Sequence, residues 1–300
     1  AESLGAHLGS YIEQLLGKML PLVVFRYSEQ VRTTAAFACA KLFKASTEAK
    51  NMPGLGQRLL VPVADTLLKG LEGEKSEEAR NCTCEALRDV LQYCFESGGR
   101  DVTTGKYVTP PRVCLGSAAA AELVSKIVTS LARASIERRT RKISAFQSSE
   151  EMDADDEDRL EEELLSEEDL MTNLTDCVGY TLKTLPQSDL IRLFDQTVAP
   201  TFTPLITADP TLRHNAICLF DDVVEFGGAG ASKYLPAFLP VLRAGLEADE
   251  PYIRQACAYG VTQVAKQFPE SLRALYGELI QVLASLVQSA DAASEETVLV

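Results

Sequence analysis

Apolar residues recur along most of this chain with the spacing of helices. In residues 8–25, Leu8, Ile12, Leu15, Leu16, Met19, Leu22 and Val23 fall on one side at a period near 3.6. Pro21 is expected to kink that helix or to end its first part, because it lacks an amide proton and clashes with the preceding turn. The same pattern predicts helices over 29–45, 55–71, 76–95, 113–141, 160–185, 189–206, 211–226, 233–246, 251–268 and 272–287. Breakers punctuate them: Asn51-Met52-Pro53-Gly54, Ser97-Gly98-Gly99, Pro186 and Gly227-Gly228-Ala229-Gly230. Val, Ile and Thr do not alternate over long runs, so strands have little support.

Two of these helices open alike. Asp209-Pro210-Thr211-Leu212-Arg213 and Glu250-Pro251-Tyr252-Ile253-Arg254 lie 41 residues apart. Each places an acid and then Pro at the helix start, where proline's fixed φ suits the helix and no amide needs a partner. A small residue follows three positions after each Arg, Ala216 and Cys257. Looser copies occur at Glu29, Val31, Arg32, Ala35 and at Ala79, Arg80, Thr83. A helix pair recurring at about 40 residues is the period of HEAT-type solenoids. The pattern therefore predicts an all-α fold, a HEAT-repeat α-solenoid of about five helix pairs plus one partial repeat. Residues 1–300 are expected to form a single array, with an acidic, disordered insert at 148–163. The arginines are 48, 133 and 41 residues apart, and the long interval fits two repeats, one of them decorated. Arg32, Arg80, Arg213 and Arg254 are expected to form a structural ladder, with acids such as Asp209 and Asp249 between repeats. No pair can bury its own apolar faces, so stacking must stabilise the array, and the ends at 1–9 and 290–300 are expected to be weakly ordered. The absence of an initial Met, and a terminus at Glu295-Glu296-Thr297-Val298-Leu299-Val300 that reads as the start of another helix, suggest a fragment of a longer chain.

Charge sharpens this picture at one place. Thirteen acids and a single Arg between residues 150 and 169 carry −12 of the chain's −14, so the remainder is nearly neutral. Such a balance does not fit direct nucleic-acid binding, which needs a basic surface. The acidic run has three readings: a solvated connector, an internal neutraliser of Arg138, Arg139, Arg141 and Lys142, or an attractor for basic partners through residues such as Glu161, Glu162 and Glu163. Asp221, Asp222 and Glu225 lie off the apolar stripe of their helix. They are candidate contacts for Lys and Arg side chains, or else members of a solvated face or of hydrogen bonds between repeats.

Other chemistry is sparse. No uncharged apolar run reaches the ~18 residues of a membrane span. The eight cysteines are scattered singly, mostly on apolar faces, as buried free thiols in a reducing compartment would be. Cys82 and Cys84 lack both the spacer and the second pair of a structural zinc site. With only His7 and His214, and neither GxxxxGK[ST] nor GxGxxG, no enzyme, cofactor or metal is expected.

Several stretches resemble a known family. Cys218-Leu219-Phe220-Asp221-Asp222-Val223-Val224-Glu225, Ile253-Arg254-Gln255-Ala256-Cys257-Ala258-Tyr259-Gly260-Val261, Leu286-Val287-Gln288-Ser289-Ala290-Asp291 and Val31-Arg32-Thr33-Thr34-Ala35-Ala36 look like HEAT helices of the importin-beta (karyopherin-beta) family, nearest its importin beta-3 branch. The resemblance spans most of the chain, most strongly in the last third and least over 114–139. It implies a C-terminal-half segment of a nuclear import receptor that binds cargo, crosses the nuclear pore and releases cargo under Ran-GTP control. It also implies partners, namely basic cargo proteins, Phe-Gly nucleoporins and Ran-GTP, the last mainly through repeats outside this segment, and residence in both cytoplasm and nucleus. The alternative is a generic HEAT scaffold, such as a phosphatase regulatory subunit, that holds its partners permanently.

Overall fold

The computed structural model describes residues 5–49, 51–101, 103, 107–108, 110–147 and 154–288. No strand forms among these residues; Arg100 and Tyr107 make an isolated bridge. The helical periodicity therefore translates into an all-α architecture. Where one array over 1–300 is expected, the chain divides into two compact units, Ala1–Leu185 and Pro186–Val300.

In the first unit, α1 (Gly5–Met19) passes into a 3-10 turn, Leu20–Val24, with Pro21 near its start. The proline thus ends the α-helix as its chemistry requires. The helices α2 (Glu29–Glu48), α3 (Leu55–Gly73) and α4 (Glu77–Glu96) follow. Ser28 and Ser76 cap α2 and α4 by accepting from the amides of Val31 and Ala79 at 3.3 and 3.2 Å, which satisfies donors the helix leaves open. Gly54, at φ 79°, supplies the left-handed residue from which α3 starts. A long segment then runs as α5 (Ser117–Lys126), a π-helical turn (Ile127–Ala132) and α6 (Arg133–Gln147), followed by α7 (Ala154–Lys183). The second helices of the pairs, α2, α4 and α7, lie side by side, while α1 and α3 pack on them and α5–α6 packs on α7. Phe43, Leu60, Leu67, Leu87, Ile127 and Met171 are fully buried between these layers, each worth ~1.5–3 kcal/mol.

The acidic stretch 148–163 splits on inspection. Residues 148–153 lie outside the described residues, whereas 154–163 are the opening turns of α7 and not a disordered insert. Acids in a first turn face the positive end of the helix dipole. Arg159 pairs with Asp156 at 3.4 Å and Glu163 at 4.0 Å, and Leu160 and Leu164 already follow the apolar period. Of the ends expected to fray, 1–4 and 289–300 lie outside the described residues, while 5–9 belong to α1.

In the second unit, the helix expected over 189–206 is broken into α8 (Gln187–Leu193), a π-helical turn (Phe194–Val198), α9 (Ala199–Phe202) and a 3-10 turn (Thr203–Thr207). Pro200 and Pro204 sit at the starts of the last two pieces, where the missing amides interrupt the hydrogen-bond ladder. Then come α10 (Pro210–Phe226), a 3-10 turn (Gly228–Tyr234), α11 (Leu235–Gly245), α12 (Pro251–Gln267) and α13 (Tyr276–Gln288). α10 lies beside α12, with α11 packed on α12. Phe220 centres an aromatic core, 5.2 Å from both Phe194 and Phe238 and 5.9 Å from Tyr234.

Candidate functional site

The four ladder arginines share one local geometry. Each lies four positions after the N-cap of its helix, in α2, α4, α10 and α12. Helical side chains lean toward the N-terminus, so each guanidinium reaches back over the first turn to the connector. Arg32 donates to the Phe25 carbonyl at 3.1 Å, Arg80 to Lys75 at 3.3 Å and Arg213 to Ala208 at 3.3 Å. Arg254 donates to both Ala248 and Asp249 carbonyls at 2.8 Å. Connector carbonyls thus accept from all four, and Asp209 also caps its own helix through the Leu212 amide. Arg32 also makes a bidentate pair with Glu74 of the next repeat, at 2.6 and 2.9 Å.

Around α7 the acids are tied to the basic end of α6. Glu167 is buried and accepts from Arg138 Nε at 2.6 Å, Arg138 Nη2 at 3.0 Å and Ser135 Oγ at 2.6 Å. Burial alone would raise its pKa, but the Arg138 and Ser135 hydrogen bonds outweigh it and hold the carboxyl below its usual range. Glu168 accepts from Arg139 at 2.9 Å, and Lys142 lies 3.3 Å from Glu163 and 3.1 Å from Glu77. Part of the acidic run is therefore internal charge compensation, while Glu161 and Glu162 stay exposed and Glu163 is half-buried. Glu167 has no marker in the sequence, because its partner lies 29 residues away.

The faces of the second helices are cross-linked by polar side chains. In the first unit, Lys41 Nζ donates to Tyr93 Oη at 3.0 Å and to Asp89 at 3.3 Å, and Arg88 spans from Asp89 (2.8 Å) to Asn173 (2.7 Å). In the second unit, Asp221, Asp222 and Glu225 separate. Asp221 is 2 % exposed; it faces α12, where a Cβ on Gly260 would come within 2.3 Å of its Oδ1. It is therefore not an open contact, contrary to expectation, because its position on α10 points between the helices. Asp222 and Glu225 are half-exposed on the adjoining side. Tyr259 Oη donates to Glu225 Oε2 at 2.6 Å, and the ring of Tyr252 meets His214 edge-on at 5.3 Å. Burial first, then the Glu225 hydrogen bond, raises the Tyr259 pKa, and burial lowers that of His214. Tyr252 and Tyr259 are 40 % and 45 % exposed. Glu225 beside the open ring of Tyr259 suits a cationic side chain, through ion pairing and cation–π attraction. The tyrosines escape a search for charge alone; their seven-residue spacing, two turns on one helix face, is the signal that marks them.

Among the described residues, no group of three or more His, Cys, Asp or Glu is placed to hold a metal ion. No described helix is long and apolar enough to cross a membrane.

No family model matches the sequence. Among solved structures, the karyopherin Kap121p bound to the SUMO protease Ulp1p superposes with a TM-score of 0.70 at 19 % identity, over 99 % of this chain and 25 % of that one. A second structure of Kap121p gives 0.72 at 18 %, over 99 % and 25 %. Kap121p bound to RanGTP gives 0.69 at 18 %, over 99 % and 24 %. The chain thus has the HEAT-repeat α-solenoid fold of these karyopherins and spans about a quarter of their length.

Proposed function

We propose that this chain is a segment of a nuclear transport receptor of the importin-beta type, nearest the importin beta-3 branch, that takes part in carrying cargo through the nuclear pore. The observation that supports this reading most is the superposition on karyopherin Kap121p along 99 % of the chain, together with the family wording of α10 and α12. Kap121p is found bound to Pho4p, Ste12p, Nup53p and RanGTP. By that analogy the partners here are basic cargo, Phe-Gly nucleoporins and Ran-GTP, the last mainly through repeats outside this segment, with shuttling between cytoplasm and nucleus. The role is binding, without catalysis.

Asp222 and Glu225, beside Tyr259, are the proposed contacts for Lys and Arg of cargo. Glu161 and Glu162 add longer-range attraction that fades beyond the ~8 Å Debye length at physiological ionic strength. Pull-down of partners by the full-length protein, with and without GTP-loaded Ran, tests the reading. Ran-dependent release is the expected result. Partners retained whether or not Ran is present would replace it with a permanent HEAT scaffold such as a phosphatase regulatory subunit.

A further inference from the structure

A second site, independent of the transport reading, lies in the first unit. Glu167 sits between two guanidinium groups but bonds only one of them fully. Arg138 takes both of its oxygens, at 2.6 and 3.0 Å, with Ser135 on Oε2. Arg80 stands off at 3.7 Å from Oε1 and donates to the Lys75 carbonyl at 3.3 Å. The nearby Glu74 is occupied: it holds Arg32 bidentately and accepts from the amides of Lys75 and Ser76 at 2.9 and 3.0 Å. Within the Arg80–Glu167–Arg138 cluster one carboxylate thus serves two guanidinium groups, with the Arg80 side chain 13 % exposed and Glu77 and Glu74 also acting on it. Burial, then the neighbouring Arg138 charge, lowers the pKa of Arg80 against the opposing pull of Glu167, Glu77 and Glu74.

This cation opens into a cleft of about 340 Å³ between α3, α4, the π-helical turn, α6 and α7. Leu131, Leu170 and Leu174 form apolar wall; Arg80, Arg138 and the Ser130 hydroxyl are the polar donors, with Glu72 and the Arg32-bound Glu74 completing the lining. Ser130 and Leu131 reach the cleft from the π-helical turn, a distortion often found at functional sites. Glu72 at the lining disfavours highly charged anions, and the leucines favour an apolar stem.

We propose that this cleft binds an oxyanion on a short apolar stem, with the anion on Arg80 and Ser130 and the stem against Leu131, Leu170 and Leu174. The same chemistry is presented by a glutamate side chain of a bound peptide or by a free short-chain carboxylate.

Calorimetric titration of the whole chain at low ionic strength with N-acetyl-glutamate methylamide, and separately with propionate, tests the proposal. Saturable binding of either probe is expected; the first alone identifies a peptide side chain, and the second identifies a free anion. Arg80→Gln leaves the Arg138–Glu167 pair intact and is expected to weaken binding by about tenfold or more, the weight of a hydrogen bond to a charged group. Ser130→Phe, at an exposed position, fills the cleft without touching Arg80 and is expected to weaken binding equally, which keeps the test valid should Arg80→Gln not fold. Absence of saturable binding by both probes, or equal affinity in the wild type and Ser130→Phe, overturns the proposal.

Discussion

Replacing Glu167 with Ala removes the acceptor for three hydrogen bonds, two from Arg138 and one from Ser135. It also leaves two guanidinium groups facing each other without the carboxylate between them. Breaking a fully buried ion pair from one side costs about 3–5 kcal/mol. Here Arg138 keeps 27 % of its side chain exposed and Arg80 13 %, so water offsets part of that loss. The expected destabilisation is about 2–3 kcal/mol. Glu167→Gln keeps an acceptor and loses the charge, and should fall at about 1–2 kcal/mol. Urea unfolding, with hydrogen exchange of peptides from α4 and α7 to assign the loss to the first unit, measures both. The pH dependence has a definite sign: the folded pKa of Glu167 is depressed, because hydrogen bonds from Arg138 and Ser135 outweigh burial. Its contribution is therefore full above the unfolded carboxylate pKa of about 4.3 and is lost as pH falls through the folded value. The difference between wild type and Glu167→Gln should stay constant near neutrality and shrink on acidification. A Glu167→Ala variant within about 0.5 kcal/mol of wild type, or a double-mutant cycle with Arg138→Ala that shows no coupling, would refute the reasoning.

Arg254→Ala removes both donors to the connector carbonyls in a helix whose N-cap, Glu250, makes no side-chain cap; a loss of about 1–2 kcal/mol and faster exchange in the first turn of α12 are expected. Gly260→Ala should destabilise by about 1–2 kcal/mol, because the clash with Asp221 and Leu242 exceeds the ~1 kcal/mol gained in helix propensity. Gly17→Ala, with nothing within 4 Å of the new methyl group, should instead stabilise by about 0.5–1 kcal/mol, both read from thermal unfolding. Asp222→Lys with Glu225→Lys should weaken binding of a basic peptide by about tenfold or more at low salt and lower its salt dependence; fluorescence anisotropy giving an unchanged affinity and salt slope would remove these residues from the cargo surface.

What was legible in the residues is what depends on near neighbours. The 3.6-residue period marks α1 to α4 almost to their ends, and Pro21, Ser28, Ser76 and Asp209 mark where helices stop or start. Pro200 and Pro204 were missed, because the apolar period runs on across 189–206; prolines at 62 and 240 lie inside helices that continue through them, so a proline alone does not say where a helix breaks. The opening of α7 was obscured because net charge argues for solvation, while Leu160, Leu164 and the Arg159 pairs argue for a helix, and the helix prevails. The arginine phrase announced a repeat but not the connector carbonyl that each guanidinium reaches.

The candidate sites depended on distant partners. Asp221 and Asp222 are adjacent residues of the same type, but a helix turns about 100° between them. Only the position of α12 against α10 decides that the first is buried against Gly260 and the second opens to solvent. Glu167 looked like one more acid in a run of thirteen until α6 and α7 packed together and set it between Arg138 and Arg80. The sequence by itself determined helix, repeat and the distribution of charge, because spacing along the chain controls backbone geometry and amphipathicity. The tertiary structure alone decided which charges are desolvated and which are paired, because those energies depend on distance and on exclusion of water between elements far apart in the chain.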